Sequence, residues 1–167
     1  MQLDTSSKAA ADHIAALKRK GYLADDSEGG RGLRLTEKAI GIPVLGDIPA
    51  GSPVDVEERV EFSLPINTRP FGVSDRNSAF FLRVRGDSMI GRHIFDGDLV
   101  LVEKSNRFKN RDVVAALIDN ESTLKTFIRD AGQTWLKSEN PKYPNLIPAL
   151  DLQVQGVARS VIRLFPS

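Results

Sequence analysis

The sequence predicts a mainly β domain that follows part of a winged helix-turn-helix. The hydrophobic periodicity is helical near the N-terminus and changes to a period of two from Ile42 onward. Glycine, proline and asparagine then divide the chain into short, closely spaced segments, as in compact β domains. We therefore expect a partial winged helix-turn-helix at 1–35, a linker at 36–41 and a β-rich domain at 42–167.

Composition restricts the classes of function. The 167 residues have a net charge of +1, so any DNA binding must come from a local basic patch. The sequence has no cysteine, which excludes thiol nucleophiles, disulfides and cysteine-based zinc sites. Neither a signal peptide nor an apolar run of about 20 residues is present. We expect a cytoplasmic protein that needs no cofactor, metal or membrane.

The first predicted element is a helix over residues 7–20, capped by Ser7 and ended by Gly21. Its apolar residues recur at helical spacing, namely at Ala10, Ile14 and Leu17. Two short strands follow, at Tyr22–Leu23 and within 31–35, on either side of a loose turn. A helix followed by a two-stranded wing is the second half of a winged helix-turn-helix.

A complete winged helix-turn-helix has two more helices before this one. One expectation is that the protein begins further upstream; the other is that it is a truncated form with impaired DNA binding. We favour the first, because a single helix and a two-stranded ribbon are only marginally stable in water.

The β-rich domain is predicted from alternation and turns. A turn at Phe95–Asp98 precedes one strand, and residues 119–121 join two strands of a hairpin. The predicted strands are 80–85, 99–102, 113–118, 123–128, 134–137 and two runs between Asp151 and Phe165.

Ser88 is the first candidate for chemistry. Gly86-Asp87-Ser88-Met89 ends a strand and begins a turn or short helix, which exposes a hydroxyl and leaves backbone N–H groups free to bind an oxyanion. The structural alternative is a serine that caps a short helix.

Lys125 is the candidate base for that serine. Strand alternation places it on one face with Thr123 and Phe127. The alternative is an ordinary solvated lysine on the outer face of a sheet. A triad using His93 is also open, although His93 is expected in an exposed loop. For lysine to act as a base, its ordinary pKa of about 10.4 must fall toward neutrality through burial.

Five segments together resemble LexA repressors in order and spacing. Phe81–Met89 resembles the region around the nucleophilic serine of that family, and Gly41–Pro53 resembles its cleavage region. The matching segments are Gly41–Pro53, Phe81–Met89, Phe95–Val100, Leu124–Phe127 and Ser138–Pro141. The resemblance implies a LexA- and signal-peptidase-like β domain.

The same resemblance implies a mechanism of self-cleavage. Ser88 would be the nucleophile and Lys125 the general base, with the backbone N–H groups of Ser88 and Met89 as the oxyanion hole. The scissile bond would be Ala50–Gly51. In this family a RecA filament on single-stranded DNA stimulates the cut, so that DNA damage relieves repression.

The N-terminal helix then implies a DNA-contacting surface and a homodimer on a palindromic operator. The expected contacts enter the major groove from the helix, with one arginine of the wing near phosphates. These residues are Ser6, Lys8, Ala9, Ala11, Asp12 and Arg31. The late segment Val157–Leu164 is the expected place of pairing across the two-fold axis.

Four alternatives share parts of this pattern. One is a UmuD-like self-processing polymerase accessory protein, which has the serine–lysine chemistry without a DNA-binding domain. Another is a LexA paralogue that has lost DNA binding. A membrane-tethered signal peptidase is disfavoured by the absence of an anchor. The last is a dimerisation module in which Ser88 and Lys125 no longer react.

Overall fold

The computed structural model describes residues 4–25, 32–46, 60–118, 121–147 and 152–165. Its contacts divide the chain into two compact units. One comprises Met1–Ile42 and Ser63–Ile66, and the other comprises Pro43–Phe62 and Asn67–Ser167.

The first helix, α1, covers Asp4–Arg19 and so begins three residues before the predicted start. It ends before Gly21, whose φ of 77° is the left-handed conformation that glycine adopts without a steric penalty. Of the apolar stripe, Ile14 is half-buried, whereas Ala10 and Leu17 are exposed. Within the described part of the chain, this stripe is therefore not packed into a core.

A two-stranded antiparallel ribbon follows, with β1 at Leu23–Asp25 and β2 at Leu33–Leu35. The segment predicted as a linker contains a single helical turn, α2, at Glu37–Ile40. Helix α1 and the ribbon lie where the sequence predicted a helix followed by two strands. The helix-turn-helix itself is not confirmed, because α1 and α2 are the only α-helices in the described ranges. Neither is long and apolar enough to cross a bilayer.

Eight strands form the main sheet, in the order β4-β3-β5-β6-β10-β7-β8-β9. The pair β3–β5 is parallel, and the five pairs from β5 through β6, β10, β7 and β8 to β9 are antiparallel. This sheet confirms the prediction of a mainly β domain. The strands are β3 (Ile42–Leu45), β4 (Val60–Leu64), β5 (Ala79–Arg83), β6 (Leu99–Glu103), β7 (Val113–Ile118), β8 (Glu121–Asp130), β9 (Gln133–Lys137) and β10 (Leu152–Ile162).

The two runs predicted near the C-terminus form one strand, so that prediction is wrong in number. β10 has 11 residues and pairs first with β7 and then with β6. The register shifts between Val154 and Gly156, where a Cβ on the glycine would lie 2.4 Å from the Glu103 carbonyl oxygen. Glycine at this bulge therefore allows the close approach of the β6 backbone.

Among the described residues, two clusters of buried apolar side chains involve β7. Alternate residues of β7 contribute to each, since successive side chains of a strand point to opposite sides. One cluster includes Leu82, Met89 and Leu124, and the other includes Phe127 and Leu136. Burying such a side chain contributes about 1.5–3 kcal/mol. The larger cluster thus holds both the segment after β5 and the strand β8 that carries Lys125.

Candidate active site

Ser88 lies on a tight turn that follows β5. Gly86, two residues earlier, has a φ of 78°, which favours glycine, and its N–H donates to Asp96 Oδ1 at 2.6 Å. Met89, directly after the serine, has a side chain only 1% exposed within the larger core cluster. The half-buried Ser88 is therefore positioned by the turn at Gly86 before it and by the buried side chain of Met89 after it.

Lys125 lies in β8, opposite Val114 of β7, and is 8% exposed. Its Nζ is 3.0 Å from Thr123 Oγ1, in agreement with the predicted face. A lysine this deeply buried is not the solvated outer-face residue of the alternative interpretation.

The structure brings Lys125 and Ser88 together. The lysine Nζ lies 2.8 Å from Ser88 Oγ, 3.0 Å from Thr123 Oγ1 and 3.1 Å from the Leu124 carbonyl oxygen. A neutral amine has two N–H donors and one lone pair. Besides the serine, Thr123 and Leu124 can accept both N–H groups of the neutral amine, and its lone pair can then accept the Ser88 proton. The same three oxygens can also accept from a protonated lysine, so it is the burial of Lys125 that favours the neutral form.

Burial lowers the pKa of Lys125 below its ordinary value. Desolvation disfavours the charged form of an amine, and it is the cause of this shift. A larger fraction of Lys125 is therefore neutral at a given pH than of an exposed lysine. His93, the other candidate base, is exposed and has a left-handed φ of 59°.

The loop at 138–141 forms backbone hydrogen bonds with the turn that carries Ser88. The Glu139 N–H donates to the Ser88 carbonyl at 2.9 Å, and the Gly91 N–H donates to the Glu139 carbonyl at 2.8 Å. A Cβ at Gly91 would lie 2.3 Å from that carbonyl oxygen, so only glycine fits there. The resemblance matched this loop, but the sequence alone gave it no role.

Asp87 and Tyr143 were not identified as site residues from the sequence. The Asp87 carboxylate accepts hydrogen bonds from the Tyr143 hydroxyl and from Asn140 Nδ2. The hydrogen bond from Tyr143 lowers the pKa of Asp87, and the same bond raises the pKa of Tyr143. A contact between residues more than 50 positions apart leaves no local pattern in the sequence, so only the folded structure shows that these side chains meet.

An ion pair between a buried carboxylate and an exposed arginine supports the turn that holds Gly86. Asp98 is 1% exposed, and both of its oxygens accept from Arg163, at 2.7 and 2.8 Å. The guanidinium hydrogen bonds lower the pKa of Asp98. Asp98 Oδ2 also accepts from the Phe95 N–H at 2.8 Å. The segment after β10 is thereby fixed to the turn between Phe95 and Asp98.

Two grooves meet at Ser88 and Lys125. One is lined by Gly46, Arg85 and residues of β8, and the other by Asp87, Tyr143 and Leu146. Gly46 is the last described residue before the segment 47–59, so the expected scissile residues Ala50 and Gly51 lie outside the described residues. In the ranges that the structure describes, no cluster of histidine and acidic side chains could hold a metal ion.

Comparison with known proteins shows the family to which the chain belongs. Residues 43–159, which contain Ser88 and Lys125, match the Peptidase S24-like family. The LexA repressor of Verrucomicrobium spinosum is 42% identical over 162 residues, covering 95% of this chain and 80% of that protein. The chain belongs to the LexA repressor family. The LexA repressors of Alcanivorax borkumensis and Mycobacterium tuberculosis are 38% and 39% identical over 95% of this chain, and over 78% and 74% of their own lengths.

Five of the six DNA-contacting residues expected from the LexA family lie in α1. Four of them are exposed on α1, namely Lys8, Ala9, Ala11 and Asp12. Ser6 belongs to the same helix, but its side chain is outside the description. Arg31, expected near phosphates, also falls outside the described residues.

Proposed function

We propose that this LexA-family chain is a repressor of DNA-damage genes that inactivates itself by cutting its own Ala50–Gly51 bond. Ser88 acts as the nucleophile and Lys125 as the general base. One observation carries the proposal: a lysine amine that is buried lies 2.8 Å from a serine hydroxyl in a cleft. A nucleophile within hydrogen-bond reach of its base is the geometry of nucleophilic catalysis.

The proposed reaction has two steps. Neutral Lys125 accepts the Ser88 proton while Oγ attacks the Ala50 carbonyl carbon. The protonated lysine then donates that proton to the Gly51 nitrogen, the C–N bond breaks, and an ester joins Ser88 to Ala50. Water, deprotonated by the same amine, hydrolyses the ester and releases residues 1–50.

Backbone N–H groups of Ser88 and Met89 are proposed to bind the oxyanion. Among the described residues, none accepts a hydrogen bond from either group. Both N–H groups are therefore available to stabilise a developing negative charge.

Chain length supports the cut at Ala50. Gly46 lines the cleft, and Ala50 is four residues further on; an extended chain spans at most about 14 Å over that distance. Alanine and glycine are small enough for a narrow cleft, and the prolines at 49 and 53 favour an extended conformation. Because the substrate is attached, proximity replaces binding affinity.

Regulation is proposed to act on the position of this segment. A RecA filament on single-stranded DNA would bind the conformation in which Ala50–Gly51 occupies the cleft, and would shift the population toward it. The repressor would bind operator DNA as a homodimer through the α1 residues and Arg31. The apolar side chains at the C-terminal end are exposed and available for dimerisation, as for Val161, Leu164 and Phe165.

The pH dependence of self-cleavage tests the proposed chemistry. Since only neutral Lys125 can accept the Ser88 proton, the rate should rise with pH from neutrality and level off above the lowered pKa. The purified chain is incubated between pH 6 and 10, and its fragments are identified by mass spectrometry. A rate that is flat or falls between pH 7 and 10 contradicts the lysine base.

DNA binding is tested by selection from a randomised double-stranded library. A homodimer should enrich a two-fold symmetric sequence, and Lys8→Ala should weaken binding to it by about tenfold if the side chain contacts a base. An exposed lysine far from α1, Lys104, provides the control as Lys104→Ala. If the chain enriches no sequence, the DNA-binding-deficient paralogue becomes the better description.

The UmuD-like alternative is less well supported. Relatives that match 95% of this chain, including its N-terminal part, are named LexA repressors. The chain also carries α1 and the β1–β2 ribbon before its β-rich unit.

A further inference from the structure

We propose that Asn140 is a positioning residue that orients the oxyanion-binding N–H of Ser88. The inference rests on the proposed function and assigns the loop at 138–141 a part in the same reaction. It starts from one hydrogen bond: Asn140 Nδ2 donates to the Asp87 carbonyl oxygen at 3.0 Å.

The Asp87 carbonyl and the Ser88 N–H belong to one peptide group. Because the group is planar and trans, its C=O and N–H bonds point in opposite directions. A donor that fixes the direction of the carbonyl therefore fixes the direction of the N–H. Asn140 is the closer of two donors to the Asp87 carbonyl, the other being the Ile90 N–H at 3.3 Å. It holds the side of the peptide group opposite the Ser88 N–H.

The orientation of the Asn140 amide is determined by its neighbours. The Lys142 N–H can only donate, and it lies 3.1 Å from Asn140 Oδ1. The ionised Asp87 carboxylate can only accept, and its Oδ2 lies 3.1 Å from Nδ2. If the amide group were turned by 180°, Asn140 Oδ1 would face the Asp87 carboxylate, and two acceptors would meet with no proton between them. Asn140 is 2% exposed, so water cannot readily replace these bonds.

Asp87 and Tyr143 stabilise the donor. The Tyr143 hydroxyl donates to the second carboxylate oxygen of Asp87, so the carboxylate is held between Tyr143 and Asn140. The next peptide group is fixed in a similar way, since the Glu139 N–H donates to the Ser88 carbonyl at 2.9 Å. That group carries the Met89 N–H. The loop thus contacts both peptide groups of the proposed oxyanion hole from behind.

The test compares Asn140→Leu with Tyr143→Phe and the unchanged chain. Leucine has the same number and branching of side-chain heavy atoms as asparagine, although it is bulkier, and it has no donor for the Asp87 carbonyl. Phenylalanine keeps the ring of Tyr143 and removes only a hydrogen bond to the Asp87 side chain. Self-cleavage is followed from pH 6 to 10, and thermal unfolding shows that each variant is folded. If N140L does not fold, N140S replaces it and is read in the same way.

We expect N140L to lower the plateau rate roughly 10- to 100-fold with the pH midpoint unchanged, since losing an oxyanion donor outright lowers the rate about 10²- to 10³-fold. Y143F should change the plateau only a few fold. An N140L plateau equal to that of the unchanged chain overturns the inference while the proposed function stands. A shifted midpoint also overturns it, because Asn140 would then act on Lys125. Absence of cleavage in the unchanged chain refutes the proposed function itself.

Discussion

Replacing Ser88 by alanine is expected to abolish self-cleavage and to leave the fold intact. The change removes the only atom proposed to attack the Ala50 carbonyl, and loss of the nucleophile in a well-studied serine protease lowers the rate by about 10⁶-fold. Over the hours in which the unchanged chain is fully cut, S88A should give no fragment ending at Ala50. The measurement is gel electrophoresis with mass spectrometry at the plateau pH.

The fold of S88A should survive because the hydroxyl makes few contacts. Its recorded partner is Lys125 Nζ, which keeps Thr123 Oγ1 and the Leu124 carbonyl as acceptors. We expect the free energy of unfolding to change by about 1 kcal/mol or less. Ser105→Ala, on a loop after β6, is the matched control and should be cut at the normal rate. Cleavage at Ala50–Gly51 in S88A would assign the reaction to another nucleophile.

The sequence predicts the pairing of Ser88 with Lys125 only when several motifs are considered together. A serine in a turn and a lysine in a strand each have an ordinary structural explanation. Strand alternation correctly placed Lys125 beside Thr123, because the period of two is a local property of the chain. The distance to Ser88 depends on pairing between strands far apart in sequence, and the family resemblance supplied that information.

Other features could not be predicted because they depend on non-local contacts. The C-terminal strand was divided into two runs, since nothing local shows that the chain continues through the bulge at Gly156 as one strand paired with β7 and β6. The strand β4 was not singled out at all. The same reason explains Asn140 and Tyr143: their partner Asp87 lies 53 and 56 residues away. The sequence shows that these side chains are polar, but it does not show that they bind the carboxylate and carbonyl of Asp87.

Replacing Lys125 by methionine is the second prediction with a large effect. Methionine keeps most of the side-chain volume and removes the amine, so K125M should show no self-cleavage at any pH from 6 to 10. Loss of a catalytic base and loss of its nucleophile affect the rate about equally when the two act as a unit. The double variant S88A/K125M should therefore be no slower than either single variant. Residual cleavage of K125M that rises with pH would indicate hydroxide or another base.

The same substitution should reveal what the buried amine does to stability. Burial gives Lys125 a lower pKa in the folded chain than in the unfolded chain, where it is about 10.4. At pH values below the folded pKa, both states are protonated and the folded chain carries the full penalty of a buried charge. As pH rises from the folded pKa toward 10.4, the unfolded chain binds more protons than the folded chain, and folding is increasingly favoured.

K125M removes this pH-dependent penalty, and the loss of hydrogen bonds to Thr123 and Leu124 offsets it by an amount that does not vary with pH. Its stability relative to the unchanged lysine should therefore fall as pH rises from the folded pKa toward 10, by about 1.4 kcal/mol for each unit by which the pKa is lowered. Urea unfolding measures this difference in an S88A background, where no cleavage interferes. Lys104→Met is the control, because the exposed Lys104 carries no burial penalty. A difference at Lys125 that is independent of pH would mean that the amine is not desolvated, and the proposed base would lose its physical basis.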